Sequence, residues 1–272
     1  MTKSPKKVAV LIGGWNAERE VSLISGASVC KALEALGHEV LAIDVQHDAQ
    51  GLIGQLTQQA GGKPSIIFNA LHGRIGEDGT MQGFLDIIGI PYTHSGVLAS
   101  AIAMDKPLMK SVVSGVGVPC PEGKTVSRED IIKNGYPMEP PFVIKPTNEG
   151  SSVGVRLVKT KDNISEIEED GWIYGDKVLI EKYISGHELT VAVLTHKDEA
   201  KALTVTELRP RHQEFYDYTA KYTDDQTDHL IPAPIPEEIA AEAMRLAALS
   251  CQTIGCNGAA RVDFRWDDTK EG

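Results

Sequence analysis

No stretch of this 272-residue chain is apolar for long enough to span a bilayer, which takes about 20 consecutive apolar residues. The opening MTKSPKKVAV is basic and then apolar, but its apolar part is short and runs straight into Gly13-Gly14 and charged residues, unlike a signal peptide. A cytoplasmic protein without a membrane partner is expected. Positive charge is also in short supply: the net charge is −11. That argues against a nucleic-acid partner, because affinity for phosphate backbones comes chiefly from clustered Lys and Arg. Any anionic ligand must be met by a few local cations. The four cysteines, Cys30, Cys120, Cys251 and Cys256, lack both CxxC pairing and histidines at zinc spacing, so buried free thiols are expected. No internal repeat or low-complexity tract is visible, and order nearly throughout follows.

What the chain does have centres on KPTNEGSSVGV, residues 145–155. An apolar run, Phe142-Val143-Ile144, leads into it and Arg156-Leu157-Val158 leads out, which predicts a hairpin. The tip offers bare backbone N–H groups and small hydroxyls, the composition of a phosphate-covering loop, with Lys145 delivered beside it as a point charge. Taken alone, the same composition also fits a plain surface turn.

The length predicts two or three lobes. The first reads as α/β: strands at 7–12, 39–44 and 65–69 alternate with helices at about 18–36 and 51–59, which implies a parallel sheet with ligands at the carboxyl ends of its strands. GxGxxG is absent, and the first helix opens with Glu18 and Glu20, which would repel phosphate. They can hold an ammonium group or simply complement the helix dipole. ALHGRIGEDGTMQG, residues 70–83, packs His72, Arg74, Glu77 and Asp78 among glycines at a strand end. A helical run ends at Met104, and Asp105-Lys106-Pro107 marks a boundary before a new helix. Beyond the hairpin lie an acidic helix near 163–170 and the strand KVLIEKYI, 177–184, in which Glu181 shares a face with apolar residues and so needs a partner. Strands at 187–196 and 201–209, a polar loop at 211–222, a helix at about 236–254 and a strand at 259–266 complete the reading. The last strand sets Arg261, Asp263 and Arg265 on one face.

Several stretches together resemble the D-alanine–D-alanine ligase family of the ATP-grasp superfamily. They are AEREVS at 17–22, ALHGRIGEDG at 70–79, Met104-Asp105-Lys106, KPTNEGSSVG at 145–154, VLIEKYISGHELTV at 178–191, FYDYTAKY at 215–222, IPAP at 231–234 and GAARVDF at 258–264. The resemblance runs along the whole chain, and the motifs stand in the family's order. It implies a mixed α/β and α+β chain of three-lobed ATP-grasp architecture: an N-terminal parallel-sheet substrate lobe at 1–104, a central lobe at 105–186 and a C-terminal lobe at 187–272. ATP would lie between the last two. The reaction implied is ligation of two D-alanines through an acyl phosphate, for peptidoglycan precursors, with ATP and Mg2+ or Mn2+, by a homodimer.

Roles follow by the same resemblance. Lys106, Lys145 and Lys221 would meet ATP phosphates, with the loop Glu149, Gly150, Ser151, Ser152, Val153 and Gly154 closing over them. Glu181, Lys182 and Ile184 would meet adenine, and Glu188 the ribose hydroxyls. Glu18 would receive the first substrate's ammonium with His72 nearby, Ser151 and Tyr222 would hydrogen-bond at the second site, Arg261 would steady the tetrahedral oxyanion, and Asp263 would ligate a metal. Two departures stand out. Trp15 replaces a residue that is commonly small, and the family's second metal-binding segment, with the groups for the second substrate's carboxylate, would lie beyond Gly272, so a truncated chain of impaired turnover is expected. A D-alanine–D-lactate ligase is the neighbouring alternative, from which Tyr222 separates this chain. A non-catalytic ATP-binding remnant is the other, and it would not need Glu18, His72 or Arg261.

Overall fold

The computed structural model describes residues 4–58, 62–150, 154–160, 172, 174–197, 199–211 and 226–269. The chain divides into two compact units, residues 1–101 with 255–259, and residues 102–254 with 260–272.

In the first unit, β1 (Lys7–Gly13), β2 (Glu39–Val45) and β3 (Ile66–Asn69) form a parallel sheet in the order β2-β1-β3, with Val8 opposite both Val40 and Ile66. A central parallel strand is covered on both faces and therefore reads as a continuous apolar run, as KVAVLIG does. One face of β1, through Ala9 and Leu11, joins Leu52 and Leu56 of α2 (Ala49–Thr57) and Met81 and Leu85 of α3 (Thr80–Ile88) in a single core. Against Ile12, on the other face, lies α1 (Arg19–Ala35), whose fully buried residues are only Ser22 and Gly26. Small residues let this helix approach closely. The Ser22 hydroxyl takes the Gly13 N–H at 2.9 Å and donates to the Ala70 carbonyl at 2.7 Å, tying the helix to two strand ends.

The segment 70–79 follows β3. Asn69 Nδ2 donates to the Gly76 carbonyl at 2.8 Å and lies 3.2 Å from His94 Nε2, while Gln82, fully buried, donates to the same carbonyl at 2.8 Å. Desolvation lowers the His94 pKa to about 4, and its Nδ1 has no partner among the described residues. The loop expected to run on to residue 83 is shorter in the structure, where Asp78 accepts the Thr80 N–H and the helix starts there.

The second unit begins within the last turn of α4 (Val97–Met104) and continues with α5 (Lys106–Ser114), capped by Asp105, which accepts the Leu108 N–H at 2.9 Å, with Pro107 in the first turn. One antiparallel sheet has the order β4-β7-β5-β6, from β4 (Gly123–Ser127), β5 (Phe142–Pro146), β6 (Arg156–Val158) and β7 (Lys177–Lys182). The hairpin predicted around residues 145–155 is the β5–β6 pair. Its core is Phe142, Ile144, Val158, Val178 and Ile180, closed by Ile131 of α6 (Arg128–Asn134). A second sheet, β10-β9-β8-β11, comprises β8 (His187–His196), β9 (Glu199–Pro210), β10 (Thr227–Leu230) and β11 (Gly258–Trp266), with α7 (Glu237–Ile254) packed on β8 and β9. The short elements β4, α6 and β10 were not anticipated, because runs of four to seven residues carry little periodicity. The helix expected near 163–170 and most of the polar loop at 211–222 lie outside the described residues. All four cysteines are thiols rather than halves of disulfides, but only Cys251 is buried; Cys30, Cys120 and Cys256 are half-buried, which corrects the expectation for three of them. Burial is the main cause that pushes the Cys30 and Cys120 thiols up, so they stay protonated.

Two outcomes are expected. A Cβ on Gly26 would stand 2.1 Å from Ile12 Cγ2. Gly26→Ala should therefore destabilise by about 1–3 kcal/mol, against the roughly 1 kcal/mol gain that alanine brings to an unhindered helix; a raised thermal midpoint would refute the close packing. For His94, the folded state resists protonation from the ordinary 6.5 down to about 4 while the unfolded chain accepts it, so stability should fall as pH drops through that window. His94→Asn should flatten that slope in urea titrations at several pH values; an unchanged slope would rule out His94 as its source.

Candidate active site

In the first unit, Asn16 organises the approach to α1. Its Nδ2 donates to the His72 and Arg74 carbonyls, both at 2.7 Å, and its Oδ1 accepts the Glu18 N–H at 2.8 Å. Glu18 takes the N-cap position of α1 without capping it through its side chain, and only 4% of the residue is exposed. A dipole-complementing acid belongs in solvent, as exposed Glu20 is; a buried carboxylate at this place points to another task. Its Oε2 lies so near Gly73 that a Cβ there would stand 2.0 Å away, and Gly73 has φ +66°, which glycine adopts without strain. His72 stands in the same loop, its Nε2 2.9 Å from the Ser25 hydroxyl of α1. Glu18, beside Gly73, and His72, the residue before it, are thus brought to one corner although far apart in sequence. Arg19 closes the adjacent edge with two 2.7 Å bonds to Asp44. Trp15 stacks on His47 with ring centroids 4.7 Å apart.

In the second unit the main electrostatic feature is Glu181, 4% exposed at the end of β7. Lys145 of β5 donates to its Oε2 at 2.5 Å, and Lys110 of α5 donates to its Oε1. Burial alone would raise the Glu181 pKa; Lys145 and Lys110 outweigh it and hold the carboxyl below its usual range. The register explains the geometry: Lys145 pairs with Leu179, so Glu181 is its diagonal neighbour on one face. Opposite Glu181 is Gly123, where a Cβ would crowd Glu181 Cγ at 2.9 Å and Lys110 Nζ at 3.0 Å. Lys106 stands one helical turn before Lys110 and donates to the Glu149 carbonyl, reaching the hairpin loop itself. Lys182 and Ile184 continue past Glu181 into the turn before β8. Lys110 is not among the residues expected from the sequence; its i, i+4 spacing from Lys106 is the signal that marks it.

The second sheet carries the other expected residues. Asp263 accepts the Thr190 hydroxyl at 2.7 Å and pairs with Arg261 at 2.9 Å. Glu188 pairs with Arg265 at 2.8 Å, and both line a cleft of about 240 Å3 with His187, Glu207 and Arg209. His187 Nδ1 lies 2.8 Å from the buried Glu207 and stacks on Trp266. Among the described residues no three His, Cys, Asp or Glu side chains cluster as a ready-made metal cage. A lone carboxylate such as Asp263 still fits a magnesium ion that arrives with a nucleotide, because Mg2+ commonly takes one or two carboxylates and completes its shell with phosphate oxygens and water. Ser151, Ser152, Val153, Lys221 and Tyr222 lie outside the described residues, whereas Glu149, Gly150 and Gly154 border the hairpin tip.

Comparison with known proteins bears on both units. Residues 112–272 match the model of the D-ala D-ala ligase C-terminus and residues 49–95 that of the D-ala D-ala ligase N-terminus. The D-alanine–D-alanine ligase of Sphingopyxis alaskensis is 48% identical over 272 residues, which covers 98% of this chain and 84% of that protein; its counterpart in Caulobacter vibrioides is 45% identical over 268 residues, covering 98% and 80%. Among solved structures, the D-alanine–D-alanine ligase of Bacillus anthracis superposes with a TM-score of 0.77 at 30% identity, over 97% of this chain and 83% of that one, and the same enzyme complexed with ATP gives 0.75 at 29%, over 98% and 83%. VanG D-Ala:D-Ser ligase from Enterococcus faecalis gives 0.77 at 28% identity, over 98% and 88%. Glu18, His72, Lys145, Glu181 and Asp263 fall within chain matched by relatives at nearly half identity, and the chain belongs to the D-alanine–D-alanine ligase family.

Proposed function

We propose that this chain is an ATP-dependent ligase that joins two D-alanines into D-alanyl-D-alanine for peptidoglycan precursors. The observation that carries the reading is the 48% identity to a D-alanine–D-alanine ligase over 98% of the chain. The geometry of each unit supports it with the charges that such a reaction needs. Glu18 is a buried carboxylate suited to an ammonium group, with His72 in the same corner. Lys145, in the strand that leads into the hairpin loop, and Lys106, which donates to the Glu149 carbonyl, are cations suited to triphosphate.

In this reading a D-alanine carboxylate oxygen attacks the γ-phosphorus of ATP, the bond to the bridging oxygen breaks, and ADP leaves. The amine of a second D-alanine then attacks the acyl phosphate, loses a proton and expels inorganic phosphate. The protein contributes position and fixed charge rather than a nucleophile. Lys106, Lys145 and Lys221 neutralise phosphate oxygens, and the loop Glu149 to Gly154 covers them. Glu181 with the Lys182 and Ile184 backbone receives adenine, and Glu188 the ribose. Arg261 steadies the oxyanion of the tetrahedral intermediate, while Ser151 and Tyr222 orient the second substrate. Asp263 would hold Mg2+ or Mn2+, which neutralises developing phosphoryl charge when bound with nucleotide. A cytoplasmic homodimer, with the lobes divided at 104 and 186, is part of the proposal; no helix among the described residues is long and apolar enough to cross a membrane.

The direct test is phosphate release from ATP that depends on D-alanine, with the dipeptide identified by chromatography; phosphate release without D-alanine, or no dipeptide, would refute the reading. Lys145→Ala should weaken binding of a non-hydrolysable ATP analogue by about tenfold or more, because it removes a charge-assisted contact and leaves Glu181 with Lys110 alone. Calorimetric titration measures this, and unchanged affinity would return the hairpin to an ordinary turn. Gly73→Ala places a methyl group on Glu18 Oε2, so the KM for D-alanine should rise about tenfold, a loss of roughly 1.4 kcal/mol, with nucleotide affinity unchanged. Steady-state kinetics at saturating ATP checks it, and an unaltered KM would remove Glu18 from the substrate site.

A further inference from the structure

The turn from β7 into β8 runs from Tyr183 to Gly186, and the Tyr183 N–H ties its start to the Pro141 carbonyl at 3.2 Å. Ile184 and Ser185 are half-buried and exposed respectively, and Gly186 sits at φ +86°. One side chain from another strand gathers it. Arg265 of β11 donates from Nε to the Ile184 carbonyl at 3.1 Å, from Nη2 to the Gly186 carbonyl at 3.2 Å and to the Tyr183 hydroxyl at 3.4 Å, and from Nη1 to Glu188 Oε2 at 2.8 Å. Its guanidinium also lies 5.5 Å from the centre of the Tyr183 ring. Backbone contact reinforces the join, since a Cβ on Gly186 would stand 2.1 Å from the Trp266 carbonyl oxygen.

We propose that Arg265 is a positioning residue for the ribose of the nucleotide: anchored on the 183–186 turn, it aims the Glu188 carboxylate at the ribose hydroxyls. The inference rests on the ATP-dependent reading above. A guanidinium has five N–H donors in a rigid fork, so one residue can hold two carbonyls and a carboxylate in fixed relation. By filling one oxygen of Glu188, Arg265 leaves the other to accept from a hydroxyl. Glu188 and Arg265 line one cleft, which puts the pair where a ligand can reach it. A Lys replacement can restore the charge but not the fork.

The test compares binding of ADP, 2′-deoxyADP and 3′-deoxyADP by calorimetry in the whole chain, the Arg265→Gln and Arg265→Lys variants, Glu188→Gln and the double variant, alongside KM and kcat for ATP. Arg265→Gln should raise the ADP Kd about tenfold, the worth of one charge-assisted hydrogen bond, while hardly affecting a deoxynucleotide that lacks the contacted hydroxyl. KM for ATP should rise with kcat little changed. Arg265→Lys should recover part of the loss, and Arg265→Gln should add little to Glu188→Gln. An equal loss for all three nucleotides, or additive effects in the double variant, would reduce Arg265 to a structural brace and overturn the proposal. If the unmodified chain binds ADP and ligates D-alanine while Arg265→Gln keeps its preference for the ribonucleotide, only this proposal fails. If the unmodified chain binds no adenine nucleotide, the functional reading fails with it.

Discussion

The carboxylate of Glu181, closed off from water at the end of β7, is tolerable only because two ammonium groups meet it. An ion of that size loses several kcal/mol of hydration on burial, so its surroundings must be arranged around the compensation. Gly123 is small so that Lys110 can reach across, the β5–β7 register puts Lys145 on the diagonal, and the cap at Asp105 sets the phase of α5 so that Lys106 and Lys110 share a face. Four elements are thereby tied at one point, and that point is the base of the hairpin loop. A site that binds a polyanion needs cations held apart from one another beforehand, and here a buried anion does the holding.

The first unit meets a similar demand by other means. Glu18 stands at the start of a helix that packs on β1 through Ser22 and Gly26 rather than through large apolar residues. Close approach fixes the helix start relative to the strand ends, and Asn16 then spans from the helix to the 72–74 loop. Gly73 leaves space for the carboxylate. Hydrogen-bond satisfaction and small volumes, more than buried area, determine where this acid points.

Much of this was legible beforehand. The parallel strands of the first unit and the β5–β6 hairpin announced themselves as apolar runs broken by glycine, and Asp105-Lys106-Pro107 as a helix start, because a cap side chain, a lysine and a first-turn proline answer to local rules. Glu181 was recognisable as a charge in need of a partner. The partner could not be named, because Lys110 lies 71 residues away and nothing local links the two. The same holds for Arg265 and Glu188, which lie 77 residues apart on different strands.

By itself, then, the sequence determined which residues bear charge, where most of the longer strands and helices lie, and, through motif order, the family; these depend on composition and short spacing. Only the tertiary structure decided which charges face each other and which are buried. Pairing across sheets depends on register and on the close approach of helices, and both are set by side-chain volumes summed over the whole core rather than by any neighbouring residue.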